Sequence, residues 1–75
     1  MRNAFHEELD DIGLSLIAMA HLVKKAMDDA TAAILGPDLE LAEKVIAADD
    51  AIDNMQHDLD ARTIDLMARQ SPVAS

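Results

Sequence analysis

The sequence predicts an all-α fold, an antiparallel helical hairpin that carries more apolar surface than it can bury alone. Three observations predict it. Apolar residues recur in alternating steps of four and three along two segments of about 30 residues, the period of a helix face. A single Gly36-Pro37 break separates the segments. Hydrophobic residues make up 51% of the 75, more than one narrow seam needs.

The first helix is expected over about residues 3–35. Its stripe runs Phe5, Leu9, Ile12, Leu16, Met19, Val23, Ala26, Ala30 and Ala33. Glu8, Asp11, Lys24 and Lys25 fall between these steps and are expected to face water. Gly13 interrupts the helix at a cost of about 1 kcal/mol relative to Ala, and a slight bend is expected there. Gly36 suits a left-handed position just past the helix end, and Pro37 cannot continue the hydrogen-bond ladder.

Asp38 is the expected N-cap of a second helix over about residues 38–70, with Glu40 and Glu43 near its positive end. The second stripe runs Leu41, Val45, Ala48, Ile52, Met55, Leu59, Thr63 and Leu66, with one adjustment near Arg62. The connection is short, so the helices lie antiparallel. Ala48 opposite Ala26 or Ala30 would allow close approach. Ser71-Pro72 then carries the signature of a third helix start, Ser as N-cap and Pro at the first helical position. Val23, Met27, Ile34, Val45, Ile46, Met55, Ile64 and Met67 spread too widely for one seam. Association into a four-helix bundle, or a third helix, would cover them.

Composition excludes several function classes. Six basic residues against fifteen acidic ones give a net charge of −9. That is the opposite of a nucleic-acid footprint, and Phe5 is the only aromatic available for stacking. No apolar run reaches the roughly 18 residues of a membrane span. An acidic surface does not bind anionic lipid by its own charge. The chain has no cysteine, which removes disulfide, zinc-finger and thiol chemistry. The N-terminal residues lack the apolar core of a signal peptide. A cytoplasmic protein is expected.

The local feature with chemical potential is Asp49-Asp50-Ala51-Ile52-Asp53-Asn54-Met55-Gln56-His57-Asp58-Leu59-Asp60, with five aspartates and no Lys or Arg. At 100° per residue, Asp49, Asp53 and Asp60 fall within about 40° of one another, and roughly 110° from the seam centred on Ile52 and Leu59. Gln56 and His57 flank them. One reading is a solvated acidic face. The other is a cation site, since carboxylates one turn apart repel until neutralised, and Mg²⁺, Mn²⁺ or iron accept Asp oxygens. His57 is the one histidine placed to join such a site. His6 and His21 are expected to face solvent, and the methionines to fill the seam.

Enzyme signals are poor. Ser15 lacks an obvious neighbouring base. No glycine-rich phosphate loop is present, and no Glu followed three residues later by His marks a di-iron bundle. The chain is expected not to be an enzyme. A small carboxylate-bridged metal enzyme is the disfavoured alternative.

Three stretches carry a family resemblance: Arg2-Asn3-Ala4-Phe5-His6-Glu7-Glu8-Leu9-Asp10; Asp38-Leu39-Glu40-Leu41-Ala42-Glu43-Lys44-Val45-Ile46 with Asp49-Asp50-Ala51-Ile52-Asp53; and Gln70-Ser71-Pro72-Val73-Ala74-Ser75. In order and spacing they resemble the PhoU phosphate-uptake regulators, over essentially the whole chain. The resemblance implies a unit of three helices, of which this chain holds the first two and the opening of the third, as an N-terminal fragment. It implies an adaptor that couples a phosphate-specific ABC transporter, through its ATPase subunit, to a sensor histidine kinase and restrains the phosphate-starvation response. It also implies a metal motif, an acidic residue, three others, then Asp; a homo-oligomer is expected separately, from the excess apolar surface. Asp49 and Asp53 match that motif. The motif's second copy lies on the family's third helix, so the chain holds at most half a metal site. The competing reading is a structural hairpin that serves only as a dimerisation module.

Overall fold

A computed structural model describes residues 3–70. It contains α1, Ala4–Leu35, and α2, Leu39–Gln70, each of 32 residues. At 1.5 Å per residue each rod is about 48 Å long. They pack as an antiparallel pair measuring 60 × 26 × 13 Å. The expected third-helix start at Ser71-Pro72 lies outside the described residues.

Both helices begin on a side-chain cap. The Asn3 Oδ1 accepts from the His6 backbone N–H at 2.9 Å and from the His6 Nδ1–H at 2.8 Å. The Asp38 Oδ1 accepts from the Leu41 N–H at 3.1 Å, as the sequence predicts. The turn departs from expectation. Gly36 is not left-handed; it adopts φ −130° and ψ 90°, while its N–H closes the last helical bond to the Ala32 carbonyl at 3.0 Å. Pro37 explains this, because a proline ring restricts the preceding residue to extended backbone. Gly13 sits inside the unbroken α1.

The α2 stripe takes its expected place. Leu59 and Leu66 are buried, and Leu41, Val45, Ala48, Ile52, Met55 and Thr63 are half-buried. Arg62 is also half-buried, which accounts for the adjustment there. The α1 stripe divides. Ile12 is buried, with Phe5 and Met19 packed against it and the two leucines. Ala26, Ala30 and Ala33 are half-buried. Leu9 and Leu16, expected in the seam, remain 48% and 49% exposed, and Val23 is exposed too. Glu8 and Ser15, one residue earlier in each case, are half-buried in their place. Glu8 therefore does not simply face water. The cause lies on α2, where Arg69 and Arg62 stand opposite them. Met19 and Met55 fill the seam as expected, but Met27 and Met67 are exposed.

Among the described residues the buried core is three residues, Ile12, Leu59 and Leu66, set toward the open end. The accessible surface is 5961 Å², whereas a globular monomer of 8.1 kDa presents about 4,500 Å². A pair of rods leaves apolar side chains uncovered on both helices, among them Leu9, Leu16 and Met27 of α1 and Ile46, Ile64 and Met67 of α2.

Candidate functional site

The hairpin has two unlike sides, because the positions flanking the seam differ in chemistry. On one side are Glu8 and Ser15 of α1 with Arg69 and Arg62 of α2. The Arg69 guanidinium donates from Nη1 to Glu8 Oε1 at 3.2 Å and from Nη2 to Glu8 Oε2, and from Nε to Asp65 Oδ2 at 3.0 Å. This hydrogen bond from Arg69 holds the Glu8 carboxyl below its usual range. One heptad inward, Arg62 Nη1 donates to Ser15 Oγ at 3.4 Å, with Asp58 at 3.9 Å. Ser15 thus faces a permanent cation that cannot accept its proton, so no nucleophile is activated here. None of these cross-helix partners is visible from one helix alone. Their sequence signal is the matched heptad spacing, Glu8 to Ser15 and Arg62 to Arg69. Asn3 as a cap is legible from its place before the first periodic residue.

The other side is an apolar groove. Near the turn it holds about 270 Å³ between Val23, Ala26, Met27 and Ala30 of α1 and Val45 and Ile52 of α2. It continues over about 250 Å³ past Ala33 and Ile34 toward Ala42 and Ile46. Leu16 and Leu9 extend the Val23 line by one and two heptads.

Asp49 lines this groove beside Val45 and Ile52. Asp53 and Asp60 continue the acidic line away from it, and all three are exposed, as are Gln56 and His57. The structure thus places Asp49 at the apolar groove and Asp53 one helical turn beyond it. Among the described residues no group of three or more His, Cys, Asp or Glu side chains could hold a metal ion. Two exposed carboxylates would leave most of a hard cation's six or more oxygen positions to water. His57 does not complete the pair. His6 and His21 are exposed, as expected.

Among the described residues no helix is long and apolar enough to cross a membrane.

Comparison with known proteins gives a consistent result. The PhoU domain matches residues 16–75. A phosphate-specific transport system accessory protein PhoU homolog of Pseudomonas aeruginosa is 38% identical over 71 residues, covering 95% of this chain and 29% of the relative. An Aquifex aeolicus protein of the same description is 41% identical over 68 residues, 91% of this chain and 31% of the relative. PhoU homolog 2 of Mycobacterium tuberculosis is 39% identical over 74 residues, 99% of this chain and 35% of the relative. The chain therefore spans about a third of the length of the curated relatives it matches. No solved structure matches it.

Proposed function

The chain belongs to the PhoU family, and from that membership we propose that it acts within an accessory protein of a phosphate-specific transport system. In this reading it is a cytoplasmic adaptor without catalytic activity. It contributes to contacts with the transporter's ATPase subunit and with a sensor histidine kinase, and so to restraint of the phosphate-starvation response.

The observation that supports an adaptor is the one-sided hairpin. Its seam is closed on the ion-paired side and open on the apolar side, where Leu9, Leu16, Val23 and Met27 are exposed. Helices recognise other helices through such apolar rows at heptad spacing. Asp49 lines the same groove, with Asp53 one turn further along α2. Within this reading the pair supplies two carboxylates to a cation site whose other ligands come from outside the described residues.

Capture by the purified kinase and by the transporter ATPase tests the adaptor reading. The native chain should be retained by at least one, and Leu16→Glu/Val23→Glu should not. Failure of both to retain the native chain favours the second reading, a hairpin that serves only to pair with copies of itself. The uncovered apolar groove favours that second reading on its own.

A further inference from the structure

Along α1, Phe5, Ile12 and Met19 form the centre of the seam. Two lines flank that centre. Glu8 and Ser15 lie on one flank, Leu9 and Leu16 on the other. Burial of apolar surface alone would turn α1 so that Leu9 and Leu16 enter the seam and Glu8 and Ser15 leave it, a roll of about 50°. The structure has the opposite arrangement. Glu8 and Ser15 are half-buried against Arg69 and Arg62, and the two leucines stay half exposed.

The short Gly36-Pro37-Asp38 turn fixes which residues lie at the same height along the rods. It leaves the roll of α1 about its own axis open. We propose that the two-rung ladder, Glu8–Arg69 and Ser15–Arg62, sets this roll and keeps Leu9 and Leu16 out of the seam. The rungs are one heptad apart on both helices, so they act on the same side of the seam at two heights. Two anchors on one flank resist rotation, where one would act as a pivot. Without the ladder α1 turns its own leucines inward.

The absence of cysteine makes the test clean. Leu9→Cys and Leu16→Cys are introduced singly, and thiol labelling is followed on dilution until the rate no longer depends on protein concentration. Ala18→Cys, exposed in the structure, sets the labelling rate of an unprotected thiol, and circular dichroism reports general unfolding. In Arg62→Ala/Arg69→Ala, labelling at positions 9 and 16 should slow about threefold or more while position 18 is unchanged. Unchanged rates at 9 and 16 in a protein that keeps its helicity would overturn the proposal. A charge exchange decides the matter if that variant loses helicity. Glu8→Arg should alter the Leu16→Cys rate, and Glu8→Arg/Arg69→Glu should restore it. An unaltered rate in the single variant, or no restoration in the double, would equally overturn the proposal.

Discussion

Arg69 closes on Glu8 across the open end of the hairpin, joining residues 61 apart in sequence through two parallel hydrogen bonds. The two-pronged geometry suits a guanidinium and a carboxylate, and an ammonium could not reproduce it. The pair lies on the surface, so its effect on stability is modest and screened by salt. Its effect on pH dependence has a definite sign. The folded-state pKa of Glu8 is depressed below its ordinary 4.5. The contribution is therefore present above that value and is lost as pH falls through the lower, folded-state pKa. Native protein and Glu8→Gln should differ in thermal midpoint at neutral pH, with native higher, and converge in acid. A gap that persists or widens in acid would contradict the pairing.

The core is so small that single truncations should be decisive. Leu59→Ala or Leu66→Ala should cost about 2–5 kcal/mol, and Ile64→Ala, on an exposed position of the same helix, within about 0.5 kcal/mol. Denaturant titration followed by circular dichroism checks the contrast. Equal losses at positions 59 and 64 would place the seam elsewhere.

The turn gives a prediction opposite to the one its sequence suggests. A glycine held left-handed resists alanine. Gly36 is extended, and a methyl group there would meet nothing closer than the Ala32 carbonyl oxygen at 3.9 Å. Gly36→Ala should therefore stabilise by about 0.4–1 kcal/mol through loss of freedom in the unfolded chain. Gly13→Ala, in the middle of α1 with open space around it, should also stabilise by about 0.5–1 kcal/mol. Destabilisation at position 36 would restore the left-handed cap.

Asp38 starts α2 by accepting the Leu41 N–H. Asp38→Ala should cost about 1 kcal/mol, and Asp38→Ser much less. Similar losses from both substitutions would remove the cap from the account.

For the acidic line the expected outcome is narrow. Titration of the native chain with Mn²⁺ should give weak heats that Asp49→Ala/Asp53→Ala abolishes. Equal heats from the two proteins would remove these carboxylates as ligands.

How much of this was legible in the sequence depends on the helix. The α2 stripe from Leu41 to Leu66 has one periodic apolar line, and the structure turns that line into the seam, burying Leu59 and Leu66 and half-burying the rest. On α1 the period picks out Leu9 and Leu16, yet the polar residues one position earlier, Glu8 and Ser15, are the half-buried ones. The choice is made by Arg62 and Arg69, which are 47 and 61 residues from the side chains they hold. Such long-range pairing leaves no mark within a local window. Gly36 shows the reverse case, since its neighbour Pro37 was enough to give the extended backbone. Asp49 and Asp53 were placed on one face by spacing, while the absence of a third described ligand could be judged only once the helices were packed.

The central claim is that one side of the hairpin is an unfinished apolar interface. Sedimentation equilibrium of the native chain beside Leu16→Glu/Val23→Glu tests it most directly. The native chain should associate with rising concentration, and the variant should stay monomeric with the same helicity. A native chain that remains a helical monomer at every concentration would contradict the claim.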